Sequence, residues 1–324
     1  MIKFEKVRKA YPGGQVAVHD LDLEIPDGQV CMLVGPSGCG KTTSLKMINR
    51  LEEPTSGRIL LDGKDIAGMD PVKLRLGIGY VIQQVGLFPH ISVADNVATV
   101  PRLLGWDPKR TRERTRELLT LVGLDPDLHG RRYPSQLSGG QRQRVGVARA
   151  LGADPPVLLM DEPFGAVDRL ARDRLQNEFI GIQRRMMKTV VFVTHDIDEA
   201  IKLGDRIALL ATGGVLQQYD TPARILAAPA NEFVTEFLGP ERAEKVLAVT
   251  PINRANLRPK TGSADRMPQL SVSASLGDAL ALMLLTGSEQ LAIEESGRHL
   301  GVLSVSDIFR SSGGGAKETW SESM

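Results

Sequence analysis

The 324-residue sequence predicts an α/β protein: a mixed sheet with an antiparallel β subdomain and an inserted helical subdomain, followed by a small α+β unit. Three observations predict it. The apolar run Val30–Val34 breaks at a Gly-rich turn and passes into a helix-forming segment, SLKMINRL. Near-continuous apolar runs at 157–161, 189–194, 206–210 and 214–218 alternate with helical stretches at about 170–186 and 197–203, as in a parallel sheet covered on both faces. From about His90 to Asp154 strand signals vanish and helical ones replace them.

In chain order, residues 2–8 and 16–25 alternate apolar and polar, as half-buried antiparallel strands do. Tyr11 and the turn Pro12-Gly13-Gly14 separate them. Residues 54–66 read as a turn, a short strand and a turn at Asp62-Gly63, and 78–83 (IGYVIQ) as a strand ending in Gln83. In the helical region, the basic run KRTRERTRELLTL (109–121) is interleaved with glutamates and has no aromatics, so it reads as a solvated helix face.

Composition narrows the function. Forty basic and 39 acidic residues leave a net charge of +1, which makes no case for a nucleic-acid binder. The two cysteines, Cys31 and Cys39, form neither a disulfide framework nor a metal-ligand pattern and fit a reducing compartment. No apolar stretch approaches the ~18 residues needed to span a bilayer, and the first residues lack a signal-peptide core. Any membrane role is therefore expected to need a partner.

The chemistry begins at residues 35–43. Gly35, Gly40, Lys41 and Thr42 fill the fixed positions of G-x-x-x-x-G-K-[ST], with Pro36, Ser37, Gly38 and Cys39 between them and Thr43 following. Such a loop turns backbone N–H groups toward a triphosphate at a helix N-terminus that already favours anions. Lys41 can reach the β- and γ-phosphates, and the Thr42 hydroxyl can ligate Mg²⁺. The run VLLMDE delivers Asp161 and Glu162 to a strand's C-terminal end, where open α/β sheets bind ligands. Asp161 is expected to hold Mg²⁺ and Glu162 to polarise the attacking water. Leu137-Ser138-Gly139-Gly140-Gln141 opens a second helix, with Ser138 as its N-cap and two glycines that admit close approach of an anion.

In this order the motifs resemble the ATP-binding cassette family over roughly residues 1–240, with the helical subdomain at about 90–154. The resemblance implies that Tyr11 stacks on adenine and that Gln83 senses Mg²⁺ and water, joining Thr42 and Asp161 around the metal. It makes Ser138, Gly139, Gly140 and Gln141 the signature segment, Asp168 in FGAVD the D-loop aspartate and His195 in VTHD the γ-phosphate switch. It further implies a head-to-tail dimer with a copy or a relative, two ATP lying between phosphate loop and opposing signature. An integral-membrane permease, and indirectly an extracytoplasmic binding protein, follow as partners, with the chain peripheral on the cytoplasmic face of the cell membrane. Residues 80–97, 103–126 and 213–239 look like the osmoprotectant importers of glycine betaine, carnitine and choline. An importer of another small solute, an amino acid or a polyamine, is the alternative.

Beyond Gly239-Pro240, a Pro-punctuated linker is expected over 241–267 and a disordered tail over 312–324. Residues 268–311 read β-α-β-β-α, with Ser275 capping a helix whose residues Leu276, Ala279, Leu280, Met283 and Leu284 share one face. This resembles a single cystathionine-β-synthase (CBS) repeat, which must pair with another copy, pack on the cassette or be a remnant. Asp307 is a candidate contact for a regulatory nucleotide, with a helix cap as the plainer reading. A soluble cassette ATPase of translation or repair would carry two cassettes or a long coiled coil, and an exporter half its own membrane spans; neither is in the sequence. A purely ligand-sensing role leaves the hydrolytic set unexplained.

Overall fold

The computed structural model describes residues 1–83, 86–165, 169–258 and 267–312. The chain forms two compact units, one of Met1–Pro222 with Ala230–Phe237, the other of Ala223–Pro229 with the residues from Leu238 onward.

In the first unit, β1 (Ile2–Ala10) and β2 (Val16–Ile25) pair antiparallel with Ile2 opposite Ile25. Their alternation buries Ile2, Phe4, Leu21 and Leu23 on one side. All five residues of β3 (Val30–Val34) are buried, and α1 (Lys41–Ile48) follows it. β4 (Ser56–Leu61) and β5 (Lys64–Asp65) complete a four-stranded sheet of order β2-β1-β4-β5. α2 (Pro71–Leu76), capped by Asp70 and opened by Pro71, leads into β6 (Ile78–Val81).

The helical part comprises α3 (Val93–Val97), α4 (Thr99–Leu103), α5 (Pro108–Leu121), α6 (Pro126–His129) and α7 (Gly139–Ala150). The side chains of Ser92, Asp107, Asp125 and Ser138 cap α3, α5, α6 and α7, which is why short helices can start so often in this stretch.

β7 (Val157–Asp161), α8 (Arg169–Met186), β8 (Thr189–Thr194), α9 (Ile197–Leu203), β9 (Arg206–Ala211) and β10 (Val215–Asp220) finish the second sheet, of order β10-β9-β3-β8-β7-β6. Its strands are parallel except β10, which returns antiparallel to β9. One face (Cys31, Leu33, Leu159, Val191, Val193) joins the antiparallel sheet and Leu45, Met47 and Ile48 of α1 in a single core. On the other face Phe192 meets the rings of Phe164 and of Phe179 from α8. Two-sided burial explains the unbroken apolar strands. α10 (Pro222–Ala227) lies in the second unit apart from Pro222, and α11 (Glu232–Leu238) in the first apart from Leu238.

In the second unit α12 (Arg242–Val249) and a 3-10 turn at Arg254–Asn256 precede β11 (Gln269–Ser271), α13 (Leu276–Thr286), β12 (Gln290–Glu295), β13 (Arg298–Ser304) and α14 (Val305–Ser312). β11 runs parallel and β13 antiparallel to the central β12. Two expectations change. Residues 242–258 are structured: Ile252 is 5% exposed in the unit's core, with Leu247 and Leu257 packed against it. Isolated bridges join Pro251 to Ser275 and Arg258 to Val302. On α13, Leu276, Ala279 and Met283 are buried but Leu284 is 76% exposed, so the buried stripe is narrower than the spacing suggests. The tail beyond residue 312 lies outside the described residues.

Candidate nucleotide site

The loop leaving β3 is shaped by glycines that cannot be replaced without collision. Gly40 sits at φ 101°, and a Cβ there would lie 2.2 Å from the Ala17 carbonyl oxygen; at Gly35 it would lie 2.1 Å from that of Leu210. Gly40 is also the N-cap of α1 and offers no side chain, so no side-chain cap occupies the helix start. The first-turn N–H groups remain directed at whatever anion enters. Lys41, 5% exposed, donates from Nζ to the carbonyl oxygens of Gly35 (2.7 Å) and Pro36 (2.9 Å) and lies 3.7 Å from Cys39 Sγ. Its ammonium is thus held over the loop, where a phosphate would supply better acceptors.

A cavity of about 310 Å³ opens above the loop, lined by Tyr11, Gln15, Ala17, Ser37, Gly38, Gly40, Lys41, Thr42, Thr43 and Glu162. Lys9 Nζ lies 5.0 Å from the Tyr11 ring centroid and is anchored by Glu52 at 2.9 Å, which covers one ring face and leaves stacking to the other. Gln15, beside Tyr11 in the lining, was missed from sequence because a polar residue after a Gly-Gly turn carries no pattern of its own.

The strand ends bring the acids together. Thr42 Oγ1 donates to Asp161 Oδ1 at 2.9 Å. Burial pushes the Asp161 carboxyl above its usual range, the Thr42 hydrogen bond opposes this, and neighbouring Glu162 adds to it. Glu162 adopts φ 43°, a left-handed conformation rare for a non-glycine residue, with its N–H donating to Val193 O at 3.0 Å. That turn aims its carboxylate at two side chains at once. Gln83 Nε2 donates to Glu162 Oε2 at 3.2 Å, and His195 Nδ1 lies 3.2 Å from Glu162 Oε1. Among the described residues no cluster of three His, Cys, Asp or Glu could hold a metal by itself. The hard oxygens of Thr42, Asp161 and the Gln83 amide instead suit a small divalent cation that takes its remaining ligands from phosphates and water.

Ser138, Gly139, Gly140 and Gln141 lie apart from these contacts. Ser138 Oγ accepts from Gln141 N at 3.2 Å while Gln141 Oε1 accepts from Ser138 N at 3.0 Å, a reciprocal cap that fixes the start of α7. A Cβ at Gly139 or Gly140 would meet nothing within 4 Å, so this helix start is bare toward solvent. None of the four lines the loop cavity. Asp168 lies outside the described residues.

Asp307 has a structural occupation. Its carboxylate accepts from Ser304 N (3.1 Å), Ser304 Oγ (2.5 Å) and Arg258 Nη2 (2.7 Å). It lies in the first turn of α14, where it accepts from Ser304, the residue before the helix, and anchors Arg258.

The glycine-bent loop and its uncapped helix start thus lie beside an aspartate bonded to Thr42 and a glutamate bonded to Gln83 and His195, an arrangement that suits a nucleoside triphosphate. The family model described as "ABC transporter" matches residues 18–165, and the chain belongs to that family, as an ATP-binding subunit. It is 55% identical over 270 residues, covering 82% of this chain and 70% of the other, to "Glycine betaine/carnitine/choline transport ATP-binding protein OpuCA" of Bacillus subtilis (strain 168). It is 47% identical over 317 residues to "Osmoprotectant import ATP-binding protein OsmV" of Salmonella typhimurium, covering 97% and 81%. With "Glycine betaine uptake system ATP-binding protein YehX" of Escherichia coli (strain K12) the identity is 45% over 311 residues, covering 95% and 99%. Among solved structures it resembles the dimeric post-hydrolysis "ATP-binding cassette MJ0796 bound to ADP and Pi", with TM-score 0.62, 33% identity and coverage of 68% and 99%. No helix among the described residues is long and apolar enough to cross a membrane.

Proposed function

We propose that the chain is the ATP-hydrolysing subunit of an importer for quaternary-ammonium osmoprotectants, working as a pair of copies that close on two ATP. The observation that carries the hydrolytic reading is Glu162, aimed from a left-handed turn at both Gln83 and His195 beside the loop cavity. The substrate reading is supported by relatives named for glycine betaine, carnitine and choline at up to 55% identity.

In this cycle the loop N–H groups and Lys41 hold the phosphates, with Lys41 giving up Gly35 O and Pro36 O. Thr42, Asp161 and Gln83 would hold Mg²⁺, which, when bound, neutralises phosphate charge. Glu162 accepts the proton of the attacking water as the γ-phosphoryl group leaves ADP, and His195, fixed by Glu162, steadies that phosphoryl group. Ser138 and the bare glycines of α7 cover the triphosphate of the other copy. Docking on an integral-membrane permease would keep the chain peripheral on the cytoplasmic face.

The parallel–antiparallel order of the second unit supports a CBS-like repeat, and a regulatory nucleotide contacting Asp307 would have to compete with its bonds to Ser304 and Arg258. The test is reconstitution with an integral-membrane permease and binding protein of the osmoprotectant class. Betaine-dependent ATP hydrolysis supports the reading; hydrolysis stimulated by an amino acid or polyamine and not by betaine overturns the substrate class.

A further inference from the structure

Behind His195 lies a polar connection buried in the core. Glu199 of α9 is 6% exposed, Gln176 of α8 is 4% and Thr194 is 2%. Gln176 Nε2 donates to Glu199 Oε1 at 3.0 Å, and the Thr194 hydroxyl also hydrogen-bonds the Glu199 carboxylate. Thr194 Oγ1 in turn accepts from Asp196 N at 3.0 Å. Asp196 caps α9 through Asp198 N and Glu199 N, and its other oxygen lies 3.7 Å from Arg172 of α8. His195 therefore stands between two residues that are both tied to α8, the helix that starts at Arg169 immediately after Asp168.

A carboxylate is an expensive way to fill a core position, and a well-packed apolar residue generally stabilises as much or more. The fold does not need Glu199 to be acidic. What the acid supplies is two acceptors, one for the end of β8 and one for α8. Each bond fixes a side chain next to His195, whose own side chain is exposed and, among the described residues, lies against the Glu162 carboxylate. A small rotation there breaks the 3.2 Å approach of Nδ1 to Glu162.

We infer that Glu199 is a positioning residue for His195: through Thr194 and Gln176 it locks the histidine's backbone to α8, so that His195 meets Glu162 only while α8 is seated. This rests on the hydrolytic reading given above for its kinetic consequence, though not for its geometry.

The test uses the full chain. Glu199→Gln keeps shape but replaces one acceptor by a donor, and kcat for ATP hydrolysis should fall about 10- to 100-fold, the scale of a small misplacement. KM for ATP should stay within about twofold, because no loop contact changes. The exchange Glu199→Gln with Gln176→Glu restores the α8 bond and should recover most of the loss. In a His195→Ala background, Glu199→Gln should alter the residual rate by less than about twofold, as expected when one residue acts through the other. An unchanged kcat, a matching rise in KM, or an additive loss in that background overturns the inference. Should Glu199→Gln fail to fold, Thr194→Val severs the same connection and must give the same split between kcat and KM. The His195 imidazole NMR signals give a readout independent of hydrolysis: they should move in Glu199→Gln, and unmoved signals overturn the inference. A parent chain with no Glu162-dependent hydrolysis but with the shifted signals would refute the hydrolytic reading and leave the positioning role standing.

Discussion

Thr42 and Asp161, 119 residues apart in the chain, share a hydrogen bond of 2.9 Å that joins the phosphate loop to the strand end bearing both acids. Asp161 makes this bond from a buried position that opposes its ionisation. A carboxyl whose folded pKa lies above its unfolded one contributes stability below the unfolded value, and that stability is lost as pH rises through the folded value. Above that value the buried carboxylate is a cost to the nucleotide-free chain.

Asp161→Asn removes that ionisation and can still accept from Thr42. We expect the thermal midpoint of the nucleotide-free variant at pH 7 to exceed the parent's by about 2–4 °C, while hydrolysis falls by at least about 100-fold. Calorimetry checks the sign: the advantage must shrink as pH is lowered toward 4. An advantage that grows at low pH would refute it.

Glu162→Gln should retain ATP affinity and lose turnover by about 100- to 10,000-fold, the usual worth of a positioned general base. With ATP it should also elute as a pair in size-exclusion chromatography. Near-normal turnover would remove Glu162 from that role.

Ser138→Ala breaks the cap of α7, at about 1 kcal/mol. Its larger effect should be on turnover, with ATP binding to the single chain unchanged in a direct titration. Lys41→Ala, in contrast, should lose ATP affinity. Mixing these two inactive variants should restore part of the activity, since one of the two sites in a mixed pair keeps both an intact loop and an intact Ser138. No recovery on mixing would count against a site shared between copies.

Much of this was readable because the signals are local. The loop, the signature segment and the Asp161-Glu162 pair are each contiguous, and two-sided burial turns the central strands into unbroken apolar runs. Residues 242–258 were hidden for the opposite reason. Leu247, Ile252 and Leu257 recur every five residues, a period belonging to neither helix nor strand, and prolines on either side suggest a linker. The Gln176–Glu199 bond spans 23 residues and two helices, and nothing in either helix marks it in advance.

The second unit offers its own pH test. Burial works against the Asp307 carboxylate, yet hydrogen bonds from Ser304 and Arg258 hold its pKa below the ordinary 3.8. Its stabilisation is therefore present above 3.8 and lost as pH falls through the folded value. Arg258→Ala should destabilise this unit by about 1–3 kcal/mol at neutral pH, the cost of stripping a partner from a buried acceptor. Hydrogen exchange at the Val302 amide, which donates to Arg258 O, should report the loss; exchange equal to the parent's would refute it.

The chain passes from the first unit to the second after Pro222, returns at Ala230 and leaves again after Phe237. Arg242 at the start of α12 donates back to the carbonyls of Leu226 and Ala227, so both passages of the second unit are bonded to each other. A gene cut at Gly239-Pro240 would therefore split the second unit rather than separate two modules. Shuffling one unit onto a foreign protein takes coordinated breakpoints, so the pair is expected to be inherited together more often than a simple tail would be.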